Sequence, residues 1–125
     1  MIVNSFTSVS LQPPLVSFCA SRSSLTWSRM RRSGRFGVNV LGRRHERFVV
    51  RAAPAGADRF VGVDWAPGRH GVPLLTDALA CLECEIMSEH PDGDHWIVVG
   101  RVDTLDVSGA EDALVFFGGA LRGVG

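Results

Sequence analysis

The sequence predicts a mainly β, antiparallel, single-domain protein with short flanking helices. Three observations carry this. Residues 78–87 alternate, with Ala78, Ala80, Leu82, Cys84 and Ile86 on one face and Cys81, Glu83 and Glu85 on the other, the pattern of a barrel strand half open to solvent. Pro91-Asp92-Gly93-Asp94 is a strong turn signal, and residues 95–102 resume as a strand, so the two runs form a hairpin. Finally, 125 residues with an apolar fraction of 46% suffice for one core, while no run approaches the roughly eighteen uninterrupted apolar residues of a membrane helix.

In chain order, residues 1–4 begin abruptly in what reads as the inside of a strand. The stretch 4–16 then sets small hydroxyl and amide side chains, Asn4, Ser5, Thr7, Ser8 and Ser10, ahead of Pro13-Pro14, which stiffens the backbone before an apolar strand at 15–20. Small residues let a flat polar ligand approach the main chain closely; a polar surface strand is the plainer alternative. Residues 25–32 read as a helix, with Trp27 and Met30 three apart on one face, a serine at the N-cap and Gly34 as the stop. The free N–H groups behind that cap, with Arg22 nearby, suit an anion, although an ordinary Ser cap needs no ligand.

Residues 36–41 are a strand by β-branched alternation, and 43–52 a second helix that turns Phe48 and Val49 inward and keeps its arginines wet. Arg47 and Arg51 are one turn apart and can face the same anion; solvated surface arginines are the commoner outcome. Residues 54–58 read as a loop, 59–65 with the Pro67-Gly68 turn as an irregular connection in which Trp65 packs, and 114–117 as a last apolar strand before a glycine-rich tail.

Charge is unevenly spread. Residues 1–51 hold nine Arg against Glu46 alone, and residues 52–125 hold four Arg against twelve acids, which fits two complementary faces of one neutral domain better than a nucleic-acid module. Cys81 and Cys84 have C-x-x-C spacing, but the odd offset on a strand sends them to opposite faces, no second cysteine pair exists, and no metal site is expected. No Ser-His-Asp or paired-carboxylate arrangement appears, so no catalytic acid or nucleophile is assigned. The N-terminus lacks a positive n-region and Gln12-Pro13-Pro14 splits its apolar part, so no secretory signal is read and the cytoplasm is expected.

The segments NSFTSVSLQPPLVSF at 4–18, SRSSLTW at 21–27, GRFGVNVL at 34–41, DRFVGVDW at 58–65, GVPLLTDALACLECE at 71–85 and GDHWIVVGRV at 93–102 together resemble, in order and spacing, the flavin reductase-like family. Its members have the FMN-binding split barrel fold, an antiparallel Greek-key-type barrel, and serve as reductase components of two-component flavin monooxygenases. The resemblance covers most of the chain, read as one domain over 1–125 that lacks the family's opening strands. An aromatic often found near the family's glycine-rich tail is replaced here by Leu121.

The resemblance implies an NAD(P)H-dependent reductase of FMN, with FAD as the other candidate flavin and NADH or NADPH as co-substrate. Asn4, Ser5, Phe6, Thr7, Ser8 and Ser10 would line the ring and ribityl chain. Ala20, Ser21, Ser23 and Thr26 would hold the phosphate end, and Arg47 and Arg51 fall in the region that touches the cofactor. Asp94 and His95, in the family's Gly-Asp-His motif, would contribute to binding the nicotinamide dinucleotide. It also implies a homodimer and a partner flavin-dependent monooxygenase, with no nucleic acid and no membrane. The alternatives are a flavin-binding split barrel without turnover, or an inactive truncated relative, and an unrelated Arg-rich interaction module whose retention on nucleic acid would weaken steeply with salt.

Overall fold

A computed structural model describes residues 1, 3, 5–42, 45, 64–107, 114–117 and 120–123, the last two segments by their backbone. The elements are β1 (Thr7–Leu11), β2 (Pro14–Ser21), α1 (Leu25–Met30) running into a 3-10 turn (Arg31–Ser33), β3 (Arg35–Val40), β4 (Trp65–Pro67), β5 (Pro73–Leu75), β6 (Ala80–Asp92), β7 (His95–Val107), β8 (Leu114–Phe117) and β9 (Ala120–Gly123). Five strands form one sheet in the order β1-β2-β7-β6-β3, and β4-β5 and β8-β9 form two-stranded sheets. Every pairing is antiparallel.

The expected hairpin is the centre of the sheet, and longer than its alternation indicated: β6 and β7 have 13 residues each. They meet through Gly93 and Asp94, with Asp92 opposite His95. Gly93 takes φ +60 while no non-glycine residue among the described ones has positive φ, so glycine sits where a II′ hairpin turn needs it. Two register shifts, at Glu83/Cys84 and Ile86/Ser88, bend the long ribbon.

Strand β2 alternates cleanly, burying Val16, Phe18 and Ala20 and leaving Leu15, Ser17, Cys19 and Ser21 on the other face. The buried set joins Trp27, Phe36, Leu82, Cys84 and Val98 in the core. Phe18 meets Trp27 at 5.3 Å and Phe36 at 5.0 Å between centroids, both edge to face, the arrangement ring quadrupoles favour. Gly100 is required beneath Phe36, because a Cβ there would lie 2.6 Å from its Cε1.

The short helix follows its sequence signals. Ser24 is the N-cap, its hydroxyl accepting from the Trp27 N–H at 3.1 Å; Trp27 is buried, and Gly34 ends the 3-10 turn in the left-handed region at φ +75. Met30 packs on the core beside Trp27.

Four expectations are corrected. Residues 65–67 form β4 and pair with β5 instead of running irregularly. Trp65 keeps 48% of its surface exposed. Residues 120–123, read as tail, form β9 against β8. Glu83, assigned to a solvent face, is only 3% exposed. The Gly68–Gly71 bend after β4 lies over it: the Glu83 carboxylate accepts from the Arg69 N–H (3.1 Å), the His70 N–H (2.7 Å) and the Thr104 hydroxyl (2.8 Å). Burial alone would raise its pKa, but these bonds outweigh it and hold the carboxyl below its usual range. Alternation assigns two faces; it does not say which a loop will cover.

Cys84 and Cys81 do fall on opposite faces. Cys84 is wholly buried, with desolvation first and Asp103 and Glu83 second pushing its thiol to about 12, and Cys81 lies 3.5 Å from Asn39 Oδ1 and from the Leu75 carbonyl. Two ion pairs join the basic and acidic halves: Arg31 with Glu89 at 3.1 Å and Arg35 with Asp103 at 2.7 Å. No described helix is long and apolar enough to cross a membrane.

Candidate functional site

The β2–β7 ladder builds one face from small polar groups. Cα partners share a face, so Ser17, Cys19 and Ser21 lie beside Val99, Ile97 and His95, and Thr7 of β1 joins them opposite Ser17. Ser5, before β1 begins, extends the ladder with its side chain: its hydroxyl accepts from the Cys19 N–H at 2.8 Å and keeps its own O–H to donate. The irregularity between Ser8 and Ser10 returns Ser10 to this face opposite Leu15, whereas Ser8, opposite Val16, points to the other.

At the end of that face two expected site segments meet. Ser21 pairs with His95. The Arg22 N–H donates to the Asp94 carbonyl at 2.9 Å, and Arg22 Nη1 reaches the Gly93 carbonyl at 3.4 Å, across 71 residues of sequence. Beyond Ser21 the chain turns sharply into α1, held by the Ser24 N–H to the Ser21 carbonyl (3.1 Å) and the Ser23 N–H to the Ser21 hydroxyl (3.3 Å). The Ser21 and Ser23 hydroxyl oxygens are 2.9 Å apart. On the hairpin side, Asp94 Oδ1 lies 2.6 Å from His95 Nδ1; that hydrogen bond, then the imidazole's charge, holds the Asp94 carboxyl below its usual range.

Not every expected residue joins this cluster. Ala20 buries its methyl in the core, 2% exposed, leaving only main chain toward a ligand. Phe6 is half buried against the same core, and Thr26 is half buried on α1. Asn4, Arg47 and Arg51 lie outside the described residues, as does the second helix expected over 43–52, of which only His45 is described. Among the described residues no three His, Cys, Asp or Glu side chains are grouped to hold a metal ion.

Behind the cluster, Trp96, Glu89 and Arg31 were missed by the sequence reading. Trp96 has the guanidinium of Arg22 at 5.3 Å and that of Arg31 at 5.1 Å from its ring centroid, both within cation–π range. Glu89 accepts from Trp27 Nε1 at 2.9 Å and pairs with Arg31. These contacts join α1 to the hairpin and are non-local, so no local pattern announces them.

The sequence profile of the flavin reductase like domain matches residues 1–125. The chain belongs to the flavin reductase-like family. It is 40% identical over 120 residues to the reductase subunit of a flavin-dependent monooxygenase from Rhodococcus jostii, a match covering 96% of this chain and 62% of that subunit. Thus it spans under two thirds of that relative's length. The fold superposes on the nitrilotriacetate monooxygenase component B homolog of Mycobacterium thermoresistibile with a TM-score of 0.93 at 34% identity, covering 98% of this chain and 70% of the other. Likewise, it superposes on the NADH:FAD oxidoreductase of Streptomyces globisporus, solved in complex with NAD and FAD fragments, with a TM-score of 0.92 at 38% identity, covering 98% and 75%. Its sheet is therefore that of the family's split barrel.

Proposed function

We propose that the chain is an NAD(P)H-dependent flavin reductase that takes FMN, with FAD as the alternative flavin, and supplies reduced flavin to a partner monooxygenase. The observation that carries this reading is the junction of Ser21 with His95. It brings the turn expected at the flavin phosphate and the hairpin tip expected at the dinucleotide to one end of one polar face. The donor set fits: hydroxyls at Ser21 and Ser23 suit a phosphate, and Ser5, Thr7 and Ser10 set small hydroxyl groups along the same face, suited to a ribityl chain and a flat ring.

The flavin and the nicotinamide bring the redox chemistry with them when bound. The protein's part is to hold the two rings at roughly 3 to 3.5 Å and to keep them in register. Ser21, Ser23 and Thr26 with the Ala20 main chain would anchor the flavin phosphate. Asn4, Ser5, Thr7 and Ser10, with the Phe6 and Ser8 main chain, would border the ring and ribityl chain, and Arg47 and Arg51 would add positive charge. His95, oriented by Asp94, would contact the dinucleotide. This assignment requires no acid, nucleophile or metal. The protein works in the cytoplasm as a homodimer, a state that sedimentation of the purified chain checks.

The test is direct. The purified, folded chain with FMN and NADH should consume nicotinamide absorbance faster than buffer, and no oxidation above that rate overturns the reading. A yellow protein that consumes neither NADH nor NADPH would instead be a flavin carrier.

A further inference from the structure

The contacts around Trp96 form a continuous path from the cap of α1 to the tip of the hairpin. Ser24 caps Trp27, Trp27 donates its indole N–H to Glu89, and Glu89 holds Arg31. Arg31 stands over the Trp96 ring, and so does Arg22, whose main chain and side chain are both tied to the Gly93–Asp94 turn. Trp96 is the residue after His95 and is half buried against the core, so its ring is fixed from below by packing and flanked by two guanidinium groups. Neither arginine is set by this ring alone, but among the described residues it is the group that both share.

We propose that Trp96 is a positioning residue for the reductase reaction: engaged by Arg22 and Arg31, it fixes the His95 end of β7 against the Ser21–Ser24 turn and so sets the separation between the nicotinamide nucleotide and the phosphate end of the flavin. This rests on the reductase reading above. The role needs the π face of the ring as well as its bulk, because a guanidinium is drawn to the ring quadrupole and not to an aliphatic surface.

The test compares Trp96→Leu, Trp96→Phe and Arg31→Gln in the full chain. Trp96→Leu should raise KM for NADH about tenfold with kcat at saturating NADH within about twofold of the parent, and Arg31→Gln should do the same more weakly. Trp96→Phe, which keeps an aromatic face, should restore the parent KM. FMN affinity, followed by flavin fluorescence, should stay within about twofold in all three. A readout independent of turnover is hydrogen exchange at the Arg22 amide, which donates to Asp94. Its protection should fall about tenfold in Trp96→Leu and stay near the parent value in Trp96→Phe. Unchanged Arg22 protection and KM in Trp96→Leu would overturn the proposal, as would equal loss in the Phe and Leu variants, or KM and flavin affinity worsening together. Should Trp96→Leu fail to fold, Arg31→Gln, at an exposed position, decides. A parent chain that oxidises no NADH overturns the reductase reading instead, and the exchange data then decide whether Trp96 holds the turn.

Discussion

Ser21 and His95 are the final Cα pair of the β2–β7 ladder, and the Arg22 N–H reaches over that pair to the Asp94 carbonyl at 2.9 Å. The turn that enters α1 and the tip of the central hairpin are therefore one rigid corner, although 71 residues separate Arg22 from Gly93. Two ligands bound on either side of that corner would share its geometry.

His95→Ala should raise KM for NADH about tenfold, the value of one good polar contact to a charged or strongly dipolar group, while FMN binding stays within about twofold. Steady-state kinetics with varied NADH, alongside flavin fluorescence titration, separates the two. Loss of flavin affinity of the same size would remove His95 from the dinucleotide side.

Ser21→Ala and Ser23→Ala should each weaken FMN by at least about tenfold, roughly 1.5 kcal/mol or more for a hydrogen bond to a charged phosphate. Riboflavin carries no phosphate, so its affinity should be unchanged. Equal losses for FMN and riboflavin would place these hydroxyls elsewhere on the flavin, or would mean that they only shape the turn.

Glu83 should contribute to acid stability. Its folded carboxyl titrates below the ordinary 4.5, so its contribution is complete above that value and disappears as pH falls through the lower folded one. Glu83→Gln should cost about 1.5–3 kcal/mol at neutral pH and flatten the stability curve below about pH 4.5. Denaturant melts from pH 6 to pH 3 check this; parallel curves for parent and variant would contradict it.

Gly100→Ala should destabilise by about 1–3 kcal/mol, because the added methyl meets the Phe36 ring and lies 3.2 Å from Cys84 Cβ. Phe36→Leu in the same chain should recover part of that loss, a coupling that a double-mutant cycle measures in urea melts. Strict additivity would show that β7 shifts instead.

Much of this architecture is written locally. The alternation at 78–87 and the Pro91–Asp94 signal locate the hairpin because both depend on neighbours a few residues away, and Ser24 and Gly34 bound the helix for the same reason. Strand β4 escaped because three residues that end in Pro67 and run into Gly68 carry no period. Glu83 was misjudged because burial of one face depends on the distant Gly68–Gly71 bend. At the candidate site, Ser21, Arg22, Ser23 and His95 were legible through capping and family motifs, while Arg31, Glu89 and Trp96 act through contacts that only the closed sheet creates.

The strand order β1-β2-β7-β6-β3 also bears on how the chain reaches this state. During synthesis β2 and β3 emerge long before β7 and β6, with which they pair in the described sheet, so the edges that β7 and β6 will cover must wait unpaired. The hairpin can zip by itself once made, whereas docking β2 and β3 on it closes long loops, the slow kind of step. The corner at Ser21 and His95 is thus a late product of assembly, and a nascent chain has no such corner until His95 has been translated.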